Sequence, residues 1–198
     1  MAEPVLLGFL RHGEVAGAAN VYRGRTDAPL TARGRQQMHA ALAGMPPWGA
    51  VVSSPARRCF DFARDLAAAT GAVCTVDRDW RELDFGAWEE LRPDQAAARD
   101  ATAHAAFVRD PRRHPPPGGE TLDALDARVG AALQRLGEAA RLPTLVVTHA
   151  GAMRAVLAQV LGLSDPYRTR IALTPGSGFT VSWLAGEPPL LMALRCAD

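Results

Sequence analysis

The chain contains no lysine, because all 22 of its basic residues are arginine. This absence excludes a lysine Schiff base and the lysine of a Walker-type phosphate loop. Arginine never loses its charge, and its planar guanidinium offers paired donors that match phosphate oxygens. Any side-chain cation in an active site of this chain is therefore an arginine or a histidine.

The chain also has few cysteines, a net charge close to zero and no long apolar run. The three cysteines lack the paired spacing of a zinc site or a disulfide framework. The net charge is +1 and the arginines are spread along the chain, which argues against a nucleic-acid partner. No segment approaches the ~20 apolar residues of a spanning helix, and the first residues lack the cationic start of a signal peptide. We therefore expect no membrane partner and a cytoplasmic location.

The order of apolar and amphipathic segments predicts an α/β fold in a single domain over residues 1–198. We expect a three-layer α/β/α sandwich with a mostly parallel central sheet and a C-terminal antiparallel meander. Residues 87–118 are predicted to form a lid-like insertion. The predicted strands are 5–10, 50–53, 72–76, 145–148, 170–173, 179–184 and 190–194, and the predicted helices include 32–43, 121–141 and 151–161. A further helix ends at Thr70, with its cap at Ser53 or Ser54 and Pro55 in its first turn.

Two histidines stand where predicted strands end. His12 follows the strand 5–10, and His149 follows the strand 145–148 and precedes a helix. In open α/β sheets, ligands bind outside the carboxyl ends of the strands, and a helix N-terminus favours anions. A single histidine at such a position is more often structural than chemical. Two of them beside a helix N-terminus indicate an anion-binding crevice.

Four ordered segments resemble the signature blocks of the histidine phosphatase superfamily, the phosphoglycerate-mutase-like family. The segments are Arg11-His12-Gly13-Glu14, Ser53-Ser54-Pro55-Ala56-Arg57-Arg58, Glu82-Leu83-Asp84-Phe85-Gly86-Ala87-Trp88-Glu89 and Thr148-His149-Ala150-Gly151. Four blocks in order and at compatible spacing are far more specific than any one of them.

The resemblance implies that His12, Glu82 and His149 are catalytic and that Arg11 and Arg58 bind the substrate. His12 would take the phosphoryl group as nucleophile, and Glu82 would protonate the departing oxygen. Arg11, Arg58 and the second histidine, His149, would bind the phosphate, and neither a metal ion nor a cofactor is implied. The chemistry agrees, because fixed cations stabilise the charge that phosphoryl transfer spreads over the equatorial oxygens.

Local geometry adds two expectations about this site. The other ring nitrogen of His12 should donate to a backbone carbonyl, which fixes the tautomer. Arg57 and Arg58 are neighbours on a helix and point about 100° apart, so at most one of them faces the crevice well. The spacing from Ser54 favours Arg58 and leaves Arg57 on the surface.

Two further segments resemble alpha-ribazole phosphatases, the branch that removes a 5′-phosphate late in cobalamin assembly. They are Tyr22-Arg23-Gly24-Arg25-Thr26-Asp27-Ala28-Pro29-Leu30-Thr31 and Pro117-Gly118-Gly119-Glu120-Thr121. The implied partner is a small-molecule phosphomonoester, alpha-ribazole 5′-phosphate. One position departs from the family, because the asparagine common six residues after the nucleophile is Ala18 here. Asn20 and Arg23, in the same loop, are the candidates for the lost phosphate contact.

Several alternatives stay open at this point. A broad-specificity small-molecule phosphatase would share the same blocks. A phosphoglycerate mutase needs an enclosed site and cations for the substrate carboxylate, and the short 87–117 segment favours hydrolysis instead. A phospho-ligand-binding module without activity would be expected to lack His12 or Glu82. The edge of the C-terminal meander is open to pairing in a homodimer, and a covered edge is an equal alternative.

Overall fold

A computed structural model describes residues 3–196, whose strands form a six-stranded sheet in the order β3-β2-β4-β1-β5-β6. The strands are β1 (Val5–Arg11), β2 (Ala50–Ser53), β3 (Val73–Val76), β4 (Thr144–Thr148), β5 (Gly178–Trp183) and β6 (Leu190–Arg195). The first four in spatial order are parallel, whereas β5 runs antiparallel to both β1 and β6. This arrangement confirms the predicted fold class.

Helices connect the strands and cover both faces of the sheet. They are α1 (Ala32–Leu42), α2 (Arg57–Thr70), α3 (Pro93–Arg99), α4 (Ala101–Arg109), α5 (Leu122–Ala139), α6 (Ala150–Leu161) and α7 (Asp165–Arg168). Threonine hydroxyls cap two of them, because Thr31 accepts a bond from the Gly34 N–H and Thr121 accepts one from Ala124. Helix α2 ends at Gly71, whose φ of 74° lies in the left-handed region that glycine tolerates best.

The hydrophobic core lies in two layers, one on each face of the sheet. Phe9 of β1 points to the layer that also contains residues of α5 and α6. Leu10 points to the opposite layer, where it joins Met38 of α1 and Phe62 of α2. Both faces are therefore covered, which explains why β1 and β4 read as continuous apolar runs rather than alternating ones.

The strand register brings three carboxyl ends together. Arg11 at the end of β1 lies opposite Thr148 at the end of β4, and Ser53 at the end of β2 lies opposite Val147. The residues that follow these strands therefore meet at one edge of the sheet. His12, Ser54 and His149 are the first residues beyond it.

Two local predictions were wrong. Helix α2 begins at Arg57 rather than at Pro55, and no side chain caps it. The Ser54 hydroxyl lies 2.8 Å from His149 Nε2 and 3.4 Å from the N–H of Ala56, the residue before the helix, so it meets no N–H group of α2. Residues 170–173 do not form a strand. Leu173 is buried, and its carbonyl accepts a hydrogen bond from the Arg11 guanidinium rather than from a neighbouring strand. The C-terminal antiparallel part therefore consists of β5 and β6.

The segment 87–118 contains α3 and α4 and packs through aromatic rings. Trp88 is 2% exposed, and its ring lies 5.2 Å from that of Phe107. Tyr22, from the loop after β1, lies 5.8 Å from the Trp88 ring. The segment thus supports that loop from behind, and its role as a lid stays a prediction.

Candidate active site

His12 follows β1, and hydrogen bonds from both its backbone N–H and its ring hold it in place. Its N–H donates to the Thr148 carbonyl at 3.0 Å, and its Nδ1 donates to the Gly13 carbonyl at 2.8 Å. This second bond confirms the expected tautomer and leaves an electron pair on Nε2. Burial lowers the pKa of His12 well below its ordinary value, and the positive charges of Arg11 and Arg58 lower it further. The ring is therefore neutral at pH 7.

His149 lies beside His12 at the start of α6 and is fully buried. The two ring centroids are 5.2 Å apart, with the rings inclined at 67°. Nδ1 of His149 accepts from Arg58 Nε at 3.3 Å, so the proton lies on Nε2 and points to the Ser54 hydroxyl at 2.8 Å. Burial lowers the pKa of His149 well below its ordinary value, and the positive charge of Arg58 lowers it further. His149 is thus a second neutral imidazole in the same site.

Arg58 is fully buried, and its guanidinium joins α2 to the loop after β1. Nη1 donates to the Thr26 carbonyl and Nη2 to the Gly24 carbonyl, both at 2.7 Å. Arg57, by contrast, is exposed and lies 3.6 Å from Asp61. The structure therefore confirms which of the two adjacent arginines points inward.

The loop that holds Arg58 is itself held by Glu89. The Glu89 carboxylate accepts bonds from the backbone N–H groups of Gly24, Arg25 and Thr26 and from the Thr26 hydroxyl. Burial alone would raise the pKa of Glu89, but these hydrogen bonds outweigh it and lower the pKa. Glu89 therefore anchors the loop as an ionised carboxylate.

Glu82 is fixed at the N-terminus of α6. Its Oε2 accepts from the Gly151 N–H at 3.0 Å, and its Oε1 accepts from the Leu83 N–H at 2.9 Å. A Cβ on Gly151 would lie only 2.1 Å from Oε1, so glycine is needed there for the carboxylate to approach the helix. The half-buried carboxyl group and His12 line the same cavity.

That cavity has a volume of about 940 Å³ and opens beyond the carboxyl ends of the strands. Its walls come from residues 11–37, from Glu82 and Phe85, and from residues 150–175, outside the segment 87–118. Arg11 lines it, donates from Nη1 to the Leu173 carbonyl, and has a buried Nε without a partner. Arg58 and His149 are fully buried and form the layer behind its lining.

The sequence profile of the histidine phosphatase superfamily (branch 1) matches residues 7–193. The chain belongs to this superfamily. All five residues that carry the resemblance lie in or directly behind one cavity, as the family assignment implies.

Relatives of this chain within the superfamily carry different functional names. The bifunctional protein Rv2228c of Mycobacterium tuberculosis is 35% identical over 179 residues, which cover 88% of this chain and 46% of that protein. The chain thus spans about half the length of that relative. The adenosylcobalamin/alpha-ribazole phosphatase of Escherichia coli is 30% identical, with 79% of each chain covered. The solved mycobacterial glucosyl-3-phosphoglycerate phosphatase Rv2419c is 26% identical with a TM-score of 0.85, covering 98% of this chain and 100% of that one.

The two loop candidates, Asn20 and Arg23, both line the cavity. Arg23 is paired with Glu90, with Nη2 to Oε2 at 2.8 Å, and also donates to the Ala18 carbonyl at 3.3 Å. Its guanidinium is therefore engaged within the protein. Asn20 is exposed, with a φ of 54°. A phosphate contact from either residue stays a prediction.

Sequence reasoning missed three residues that line this cavity, Tyr22, Phe85 and Arg154. Tyr22 and Phe85 line it with rings 4.9 Å apart, and the Tyr22 hydroxyl lies 2.9 Å from Nε2 of His104. His104 is half-buried. Arg154 also lines the cavity, and helical spacing gives a signal for it, because Arg154 lies one turn after Ala150.

In residues 3–196, no helix is long and apolar enough to cross a membrane. The predicted cytoplasmic location stays a prediction.

Proposed function

We propose that this chain hydrolyses phosphomonoesters through a phosphohistidine formed on His12. The observation that carries the proposal is the tautomer of that ring. Nδ1 is tied to the Gly13 carbonyl at 2.8 Å, so the free electron pair belongs to Nε2. The buried ring is neutral and lies on the cavity wall, and a neutral imidazole is the form that attacks phosphorus.

The positive charge for phosphate binding comes from arginine and from a helix end. Arg11 has an Nε–H without a partner, and Arg58 lies directly behind His149. The N-terminus of α6 adds its dipole at the same place. This set supplies the charge neutralisation that metal ions supply in other phosphatases, so we propose a metal-independent reaction.

Glu82 moves the proton in both halves of the proposed reaction. In the first half, the bond from phosphorus to Nε2 of His12 forms, the bond to the alcohol oxygen breaks, and Glu82 gives its proton to that oxygen. In the second half, Glu82 takes a proton from water, whose oxygen bonds to phosphorus while the bond to Nε2 breaks. The product is inorganic phosphate, and both side chains return to their starting state.

The shape of the cavity favours hydrolysis over a mutase reaction. Residues 16–20, which form part of the cavity wall, are exposed to solvent. We propose that water enters along this exposed part of the wall and reaches a phosphohistidine in the cavity. A mutase must exclude water until the phosphoryl group returns to its substrate.

Two substrate classes have support. Alpha-ribazole 5′-phosphate is favoured by the E. coli relative of that name and by the rings of Tyr22 and Phe85, which offer apolar surface to a planar leaving group. Phosphorylated acids are favoured by the likeness to the glucosyl-3-phosphoglycerate phosphatase and by an unpaired arginine, Arg154, in the cavity.

The test is phosphate release in the presence of excess chelator. The substrates are alpha-ribazole 5′-phosphate, 3-phosphoglycerate, simple sugar phosphates and an activated aryl phosphate, with His12→Ala as the control. We expect chelator-resistant turnover that His12→Ala abolishes. Loss of activity in chelator with rescue by a divalent ion would overturn the metal-independent reaction. Tight phosphate binding without turnover would instead indicate a phospho-ligand-binding module.

A further inference from the structure

Arg154 is a cavity-lining arginine that lacks a partner. No other residue in 3–196 forms a hydrogen bond or an ion pair with its guanidinium, and its Nε is buried from solvent. The buried arginines Arg58 and Arg168 differ, because Arg58 donates to two carbonyls and Arg168 to the Asp126 carboxylate. A partly desolvated cation without a partner is costly, so an unmet guanidinium in a cavity indicates a ligand group.

The neighbours of Arg154 place it on the leaving-group side of the cavity. Burial lowers the pKa of Arg154, the negative charge of Glu82 opposes this shift, and the positive charge of Arg168 adds to it. Geometry places the two side chains together, because Arg154 lies three residues after Gly151 on α6 and the Gly151 N–H donates to Glu82 Oε2 at 3.0 Å. Both Glu82 oxygens already accept from backbone N–H groups, those of Leu83 and Gly151. Because Glu82 is the proposed acid, a group beside it faces the departing alcohol rather than the phosphate.

We infer that Arg154 forms a subsite for a second anionic group, a carboxylate or a second phosphate, carried by the alcohol that leaves. This inference rests on the proposed hydrolysis and names a substrate class for it. A guanidinium fork binds such a group through two parallel charged hydrogen bonds. The phosphate that is transferred has its own cations in Arg11 and Arg58. Alpha-ribazole 5′-phosphate carries no second anion, so the subsite favours phosphorylated acids over it.

A matched pair of substrates tests the subsite in the unaltered protein. 3-Phosphoglycerate and glycerol 3-phosphate differ only in that a carboxylate of the first is a hydroxymethyl group in the second. We expect kcat/KM to be at least about tenfold higher for 3-phosphoglycerate, mainly through a lower KM, as one charged pair provides. Equal values for the two substrates would overturn the inference, whatever any variant does.

The variant Arg154→Met shows whether this residue carries the preference. The ratio of the two kcat/KM values should fall to about one. The control is Arg33→Met, because Arg33 lines the same cavity but its side chain is 72% exposed. It should keep the ratio. If Arg154→Met lowers kcat/KM equally for both substrates, Arg154 acts on Glu82 or on the transferred phosphate. That result would also overturn the inference.

Binding separates this inference from the proposed hydrolysis. His12→Ala, titrated calorimetrically with each phosphate, should bind 3-phosphoglycerate at least about tenfold more tightly. Equal affinities would remove the subsite even if the wild-type protein hydrolyses both compounds. A clear difference in affinity without wild-type turnover would keep the subsite and contradict the hydrolysis.

Discussion

A single hydrogen bond sets the reactivity of His12. Rotation of the ring would exchange its nitrogens, but the bond from Nδ1 to the Gly13 carbonyl holds the orientation. The neighbouring residue is a glycine for a separate reason, since a Cβ on Gly13 would lie 2.0 Å from the Gly34 carbonyl oxygen. The orientation of this proposed nucleophile therefore depends on a close approach between the loop after β1 and the start of α1.

The proposed role of Glu82 as general acid gives a prediction based on the leaving group. Glu82→Gln keeps the size of the side chain but cannot donate the proton, so hydrolysis of alkyl phosphates should slow by about 10²–10⁴-fold. An activated aryl phosphate needs little protonation and should lose much less. Steady-state rates on both substrates make the comparison. Equal losses would show that Glu82 positions the substrate rather than protonating it.

Several site residues could be predicted because local rules locate them. Buried runs end just before His12 and His149, and helical geometry separates Arg58 from Arg57. The partners of Tyr22 could not be predicted, because His104 is 82 residues away and no local pattern joins the two. Ser54 was misread for the same reason, since its hydroxyl meets His149, which is 95 residues away.

At the scale of elements, the loop 24–26 connects the segment around Glu89 to the active site. The Glu89 carboxylate accepts hydrogen bonds from the N–H groups of Gly24 and Thr26, and the carbonyls of the same two residues accept hydrogen bonds from Arg58.

The prediction of a strand over residues 170–173 was wrong, and the reason also lies at the scale of elements. Its apolar residues fit a strand, but the Leu173 carbonyl is taken by the Arg11 side chain. Side chains that bind backbone groups thus decide structure that periodicity alone does not.

Glu89→Ala should therefore weaken both stability and catalysis. Removing the carboxylate leaves the buried Gly24 and the half-buried Thr26 without an acceptor for their N–H groups, which costs about 1–3 kcal/mol in the free energy of unfolding. The displaced loop should also misplace Arg58 and lower kcat. Denaturant unfolding and phosphatase rates measure the two effects. Glu187→Ala, at an exposed turn, is the control, and a Glu89→Ala protein with unchanged stability and kcat would refute the anchoring role.

At the scale of the whole molecule, two buried neutral histidines make stability depend on pH. The pKa values of His12 and His149 are lowered in the folded state, whereas the ordinary value is 6.5. Below about pH 6.5 the unfolded chain therefore binds more protons than the folded protein does. Each of the two histidines then removes up to about 1.4 kcal/mol from the free energy of unfolding for every unit by which the pH falls.

The free energy of unfolding should accordingly fall as the pH is lowered from 6.5 to about 5. His149→Gln should reduce this slope by about half. His39→Gln is the matched control, because His39 is exposed and should leave the slope unchanged. Urea unfolding at several pH values gives the slope. A wild-type slope near zero would contradict the buried neutral state of both rings.

The outer strand β6 is the place where a second copy of the chain could pair with the sheet to form a homodimer. Leu190, Met192 and Leu194 are exposed on this edge of the sheet. If the edge pairs with a second copy, sedimentation will give twice the mass of the chain, and Met192→Lys will restore the single mass. A monomeric wild-type protein at micromolar concentration would exclude the homodimer.

The single domain over residues 1–198 stays a prediction, although the sheet joins strands from both ends of the described chain.

The most direct test of the central claim is to trap the phosphohistidine. The protein, in excess chelator, is mixed rapidly with a radiolabelled aryl phosphate, quenched in alkali and digested. We predict label that is stable in alkali, labile in acid and located on the peptide that contains His12, with none on His12→Ala. Turnover with no labelled wild-type protein, or label that persists in His12→Ala, would contradict a reaction through His12.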